Sequence, residues 1–281
     1  MINVFLTLLL AYSGQPADLL YIQHEGKSIV QMTKEDYFIE EIGTPHLHQD
    51  RLHGLINDVD NAVSKTPRDA FIDERGLIVD GKSGYKLNRV VFQENLLQSL
   101  YNNGTTRIEA SVIQLHPKVD AELLSAIRTK EIGSFVTYFK IANNERTTNI
   151  TLATEAINNK VVFPGETFSF NKAVGKRTKE KGYLPAPIIV KGELSEGIGG
   201  GICQVSSTLF NAVDKAGVHI LERYSHSRKV PYVKPGRDAT VSWYGPDFTF
   251  RNEYNQPLLI RAKVSDGAVA IKIFTSDTNN I

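Results

Sequence analysis

Apolar and polar positions change rhythm several times along the chain, and each change predicts an element. In "LLYIQHEGKSIVQM" apolar residues flank Glu25 and Gly26, which predicts a short strand pair around a turn. In "QDRLHGLINDVDNAVSK" Leu52, Leu55, Ile56, Val59 and Val63 recur at helical spacing with Asp and Asn opposite them, the pattern of a surface helix over a small core. "DAFIDERGLIVDGKSGYKLN" alternates apolar and polar residues around Gly76, Gly81 and Gly84, which predicts a hairpin. A helix follows in "FQENLLQSLYNNG", stopped by Asn102, Asn103 and Gly104. "TRIEASVIQLHPKV" places Ile108, Ala110, Val112 and Gln114 on one strand phase, and "DAELLSAIRTK" returns to helix.

Beyond that point the pattern is mostly strand. "IGSFVTYFK" predicts a strand, "NITLATEAINN" a helix, "FPGETFSFN" a turn broken by Pro164 and Gly165, and "LLIRAKVSDGAVAIKIF" a hairpin turning at Asp266 and Gly267. The main helical interruption starts at Cys203, where Val205, Leu209, Ala212, Val213 and Ala216 recur at helical spacing up to the stop at Gly217. The expected fold is therefore α+β: a small module over residues 15–130, followed by a mostly antiparallel-strand domain over 131–276.

Composition changes this picture little. The chain has 281 residues, 41% hydrophobic and 22% charged, which suits two modest cores or one large one. A net charge of +1 with no long basic run removes the electrostatic reason to expect nucleic acid. Phe5 to Ala11 form a short apolar block followed by Ser13, Gly14 and Gln15, so residues 1–14 are expected to be a signal peptide, with membrane contact only through that leader. His46, His48 and His53 lie close together but lack carboxylate or cysteine ligands at matching spacing, and neither a metal nor a cofactor is expected.

The single cysteine carries the candidate chemistry. Cys203 follows Gly199, Gly200 and Gly201 and falls in the first turn of the predicted helix. There unsatisfied N–H groups and the positive end of the helix dipole favour the thiolate, and glycines let backbone approach an acyl substrate closely. With no second cysteine the thiol cannot enter an intramolecular disulfide, so it is either inert in a core or kept for reaction. Downstream, a predicted strand ends at His226 and Asp238 stands at the entrance of the next, giving a base and an orienting group in the order Cys, His, Asp. That order resembles papain-like and transglutaminase-like folds, although the Cys-to-His interval is tighter here. Ser206, Ser207 and Thr208 read as polar residues on the helix face.

The blocks "FPGETFSFNKAVGKRTKEKGY", "GIGGGICQVSSTLFNA", "ERYSHS" and "YVKPGRDATVSWYGPDFTFRN" together resemble the VanW family, over about residues 132 to 261. The preceding region resembles, more weakly, a peptidoglycan-binding-like domain. The resemblance implies an exported or membrane-anchored envelope protein of a Gram-positive type, with peptidoglycan or its stem peptides as partner. It supplies no reaction. Many members have two histidines where this chain reads "ERYSHS"; Tyr224 replaces the first, which leaves His226 as the base. Carried over residue by residue, the candidate site is Cys203, His226 and Asp238 for catalysis, with Gly200, Gly201, Gln204, Ser227 and Arg237 for binding. Three readings stay open: acyl transfer or amide hydrolysis on a cell-wall peptide, binding of such a peptide through Arg237 without chemistry, or an envelope scaffold.

Overall fold

A computed structural model of the protein describes residues 18–39, 46–190 and 193–277. The leader expected over 1–14 lies outside the described residues. The chain forms two compact units: one runs to Asp69 and resumes over Gly81–Lys118, and the other takes Ala70–Asp80 and everything from Val119.

In the first unit Leu19–His24 pairs antiparallel with Lys27–Thr33 through Glu25 and Gly26, both at positive φ, and pairs parallel with Thr106–Glu109 on its other edge. Helix α1 (Gln49–Val63) buries the five apolar residues that its spacing singles out. They meet Phe92, Leu96 and Leu100 of α2 (Arg89–Tyr101) over Leu20, Ile22 and Ile108 of the sheet. Helix α2 starts ahead of the predicted Phe92 because the Asn88 side chain accepts from the N–H of Val91 and caps it. The single strand expected in "TRIEASVIQLHPKV" is two. Ala110 donates to the Gln23 carbonyl and Ser111 turns back onto Glu109, so Val112–Leu115 leaves that sheet and pairs with Gly84–Leu87.

The boundary expected near residue 130 is displaced. Phe71–Ile72 and Ile78–Val79 form a small hairpin of their own that belongs to the second unit, as does α3 (Ala121–Ile127). Ile72, Leu124 and Ile127 share a core with Leu259, and the Asn159 side chain both donates to the Ile72 carbonyl and accepts from its N–H, at 3.0 Å each. These are contacts over long chain separations that a local pattern does not contain.

The second unit is built on a four-stranded antiparallel sheet ordered Lys130–Tyr138, Ala268–Thr275, Leu258–Ser265, Val161–Val162. Its C-terminal hairpin turns at Asp266 and Gly267, both at positive φ, as the sequence predicts. Helix α4 (Asn144–Ile157) begins one turn before the apolar pattern does, capped by Asn143. The short α5 (Phe170–Val174) precedes a hairpin of Pro185–Val190 with Glu193–Ile198. Helix α6 (Ile202–Lys215) packs on Lys130–Tyr138 and Ala268–Thr275 of this sheet beside α4, which packs on Leu258–Ser265. Its Phe210 meets Phe248 and Phe250 at a second sheet of Thr167–Ser169, Thr249–Arg251 and His219–Glu222. Val205, Leu209, Phe210 and Val213 of α6 join Ile150, Phe248, Phe250, Ile260 and Ile271 in the largest core. The class is α+β, as expected. Among the described residues no helix is long and apolar enough to cross a membrane.

Candidate functional site

The glycine block makes the start of α6 possible in two ways. A Cβ on Gly200 would lie 2.6 Å from the carbonyl oxygens of Ala186 and Pro187, so only glycine lets the neighbouring hairpin approach. Gly201 is the N-cap at φ 106°, a conformation strained for any other residue. Cys203 therefore enters in the first helical turn, where its N–H has no intrahelical acceptor and takes no other backbone acceptor among the described residues.

Every residue of α6 from Gln204 to Val213 is buried, including three hydroxyl side chains and two amides. Ser206, Ser207 and Thr208 are thus not surface-facing. Ser206 Oγ donates to the Ala239 carbonyl at 2.6 Å, and Ser207 Oγ accepts from the Ala239 N–H at 2.9 Å while donating to the Cys203 carbonyl at 2.7 Å. Asn211 Nδ2 donates to the Arg237 carbonyl at 2.7 Å. Polar groups buried at this depth must find partners, and those of Ser206, Ser207 and Asn211 include the backbone of the loop that carries Asp238, while Thr208 bonds Thr137 and the Gln204 carbonyl.

His226 and Asp238 stand on loops rather than on consecutive strands. The strand after α6 ends at Glu222, and what remains is one antiparallel bridge between Tyr224 and Thr240. Arg223 reinforces it by donating to the carbonyls of Asp238 and Gly236, at 2.8 and 3.0 Å. Asp238 Oδ2 accepts from the His226 backbone N–H at 2.6 Å and lies 2.6 Å from Nδ1 of the same ring, with both side chains under a tenth exposed. The bond at Nδ1 leaves Nε2 as the nitrogen that faces other chemistry.

Cys203 is half-buried; its Sγ lies 3.6 Å from the Val241 carbonyl oxygen and 3.8 Å from Thr240 Oγ1, and it shares the wall of one cleft with His226. Burial alone pushes the thiol up, but the hydrogen bond and charge of His226, with smaller help from Val241 and Thr240, bring it below its ordinary value. Burial pushes the imidazole down, and its bonds to Cys203 and Asp238 carry it above its ordinary value. Asp238 is held below the usual carboxylate range: burial opposes this, but the two His226 bonds and the ring's charge prevail. The opposite shifts of thiol and ring favour the thiolate–imidazolium form.

These groups open onto a cleft of about 1320 Å³ whose wall includes Gly201, Cys203, Gln204, His226, Tyr232 and Trp243. The other expected site residues lie elsewhere. Gly200 is buried beneath the hairpin, and Ser227 is exposed and outside the cleft wall. Arg237 does not face the cleft: Nε donates to Asn211 Oδ1 and Nη2 to Asp214 Oδ2, both at 2.7 Å, and the guanidinium sits over Phe210. It anchors the loop to α6. Gln204 reaches the cleft as a support; it accepts from Arg146 and donates to Thr137 and the Tyr138 carbonyl.

Sequence reasoning passed over Arg146, Arg177, Tyr232 and Trp243. One signal was available for Arg146: it occupies the first turn of α4, where a cation meets the unfavourable end of the helix dipole. Among the described residues no three His, Cys, Asp or Glu side chains cluster to hold a metal, those around His46 included.

A family model described as VanW like protein matches residues 145–274. The protein YoaR of Bacillus subtilis (strain 168) is 51% identical over 282 residues, covering all of this chain and 93% of its own length. The vancomycin B-type resistance protein VanW of Enterococcus faecalis is 30% identical over 132 residues, 45% of this chain and 48% of that protein. No solved structure matches the chain.

Proposed function

The chain belongs to the VanW family, and on that premise we propose that it is an envelope enzyme whose Cys203 performs acyl transfer or amide hydrolysis on cell-wall peptides. The observation that carries the reading is the Asp238–His226 pair, 2.6 Å apart, with His226 and Cys203 together in the wall of a large cleft. Asp238 fixes the ring through Nδ1, and His226 holds the thiol's proton. The thiolate attacks the carbonyl carbon of the substrate amide, and the Cys203 N–H at the start of α6 stands ready for the developing oxyanion. The imidazolium gives its proton to the departing amine as the C–N bond breaks, leaving a thioester on Cys203. A second amine or water, losing a proton to His226, then attacks the thioester and releases the thiolate.

The same proposal puts the protein outside the cytoplasm, supported by the leader pattern in residues 1–14. A reporter fused after residue ~20 should be exported in a Gram-positive host.

Intact-mass measurement of the protein incubated with muropeptides tests the chemistry. The expected result is an adduct that raises the mass by one acyl fragment, maps to Cys203 and disappears in Cys203→Ser. Saturable muropeptide binding with neither adduct nor turnover would overturn catalysis in favour of a binding module.

A further inference from the structure

The cleft wall has a charge bias that the chain as a whole does not. Overall there are 32 Lys and Arg against 31 Asp and Glu. Lys140, Arg146, Lys176 and Arg177 line the cleft, and no Asp or Glu does so among the described residues. The two arginines are also poorly compensated. Arg146 donates from Nη2 to Gln204 Oε1 at 2.7 Å, and Arg177 donates from Nη2 to Asn171 Oδ1 at 2.8 Å, so both partners are neutral amides. The Nη1 atom of Arg177 is buried and has no hydrogen-bond partner among the described residues. Burial pushes both guanidinium pKa values down, against the opposing pull of Tyr232 and the thiol on Arg146 and of Tyr183, the thiol and the Asp247 carboxylate on Arg177, and both arginines share the cleft wall with Cys203.

A buried guanidinium nitrogen without an acceptor is costly, and arginines in folded proteins ordinarily meet this cost with a carboxylate or phosphate. The thiolate does not supply the missing charge. Counting Cys203, His226, Lys140, Arg146, Lys176 and Arg177 of the cleft wall together with Asp238 and Asp247 behind it, the group carries a net positive charge whether the Cys–His pair is neutral or ionised, because proton transfer within the pair leaves the sum unchanged. An anion from outside completes it.

We propose that Arg146 and Arg177 form a carboxylate subsite beside Cys203, so that the acyl substrate is a peptide bearing a free carboxylate close to the scissile amide. This rests on Cys203 being the nucleophile. Arg146 and Arg177 act as positioning residues: they set which carbonyl lies over the sulfur, with Gln204 holding Arg146 in place.

Two alkylating agents of nearly equal size test it without any substrate. Iodoacetate carries a carboxylate next to the carbon that the thiolate attacks; iodoacetamide carries a neutral amide there. In either case sulfur displaces iodide and forms a thioether. The ratio of the two labelling rates at Cys203, divided by the same ratio for free cysteine, is expected to exceed about tenfold, the effect of one charge-assisted hydrogen bond. Iodoacetate labelling should saturate with concentration, and Arg177→Gln and Arg146→Gln should bring the ratio back toward that of free cysteine. Arg177→Lys, which keeps a charge, should retain part of it. Fast iodoacetamide labelling with no iodoacetate preference would overturn the subsite and leave the thiol mechanism standing. No enhanced labelling by either agent would overturn both. A preference that survives the arginine substitutions but vanishes in Lys140→Gln or Lys176→Gln would also overturn the assignment, since it would then come from the cleft's general field.

Discussion

Asp60 in the first unit and Asp238 in the second are the same chemical group under similar restraint. Asp60 accepts from Ser64 Oγ, the Leu87 N–H and Arg89, and its acidity is raised by the Ser64 bond first, against the opposing effect of burial. Asp238 accepts from the N–H and the ring of His226. The difference is where the network ends. Every partner of Asp60 is an anchor: α1, the strand Gly84–Leu87 and the start of α2 are tied together and the bonds close on themselves. The network of Asp238 runs through an imidazole to a thiol at a cleft. Multiple bonds to a carboxylate mark a structural tie; a chain of them with one end open to a cavity marks a site.

The sharpest way to break that contrast is at the open end. His226→Ala should slow iodoacetamide labelling of Cys203 at pH ~6 by about a hundredfold, within the range of a lost acid–base partner. In the native protein labelling should rise with pH through the depressed thiol pKa and then level off. In the variant, with burial no longer offset by the ring, it should rise only at or above the ordinary thiol value of about 8.5, so the two converge only in alkali. Equal rates at pH ~6 would mean that the ring does not sustain the thiolate.

Cys203→Ser should abolish labelling and any acyl adduct while changing stability by less than about 1 kcal/mol, because the hydroxyl can keep the bonds to Val241 and Thr240. Calorimetry checks the second half, and a large loss would make the thiol a packing element. Asp238→Ala should destabilise by about 1 to 3 kcal/mol, as expected when buried donors lose their acceptor, and Asp60→Ala by about 1 kcal/mol, since of its three donors Ser64 and Arg89 are exposed to water. Only Asp238→Ala should also slow labelling. Both carboxyls have depressed pKa values when folded, so their contribution is present above the ordinary carboxylate pKa of about 3.9 and is lost as pH falls through the depressed values. The smallest effect belongs to Arg237→Ala: about 1 kcal/mol from the lost bonds to Asn211 and Asp214, and labelling unchanged within about twofold. Loss of muropeptide binding in that variant would return Arg237 to the substrate site.

The local elements were legible wherever one face is buried and one is wet. The apolar stripe of α1 and the hairpin around Asp266 and Gly267 need nothing beyond their own residues. The divided hairpin near Ile72 was not legible, because Asn159 and Leu259 decide its allegiance from far along the chain. In the site, Cys203 could be read from its place behind three glycines, and His226 and Asp238 from their order. Arg237 was misassigned for a physical reason: a sequence shows that a cation is near a site but not that Asn211 and Asp214 already hold it. The opposite error hid Arg146 and Arg177, which precede Cys203 on other elements and reach its cleft only through the tertiary fold.

The loop carrying Asp238 has no strand of its own, yet Ala239 is fully buried and its N–H is held by a hydroxyl from the middle of α6. Isotope exchange at that amide should accordingly follow global opening of the second unit, at the slow rate of a central strand, and not the fast rate usual for irregular segments. Heating should then show no early step in which thiol reactivity disappears while the rest stays folded. Loss of enhanced labelling and loss of the second unit's cooperative structure should fall on one curve.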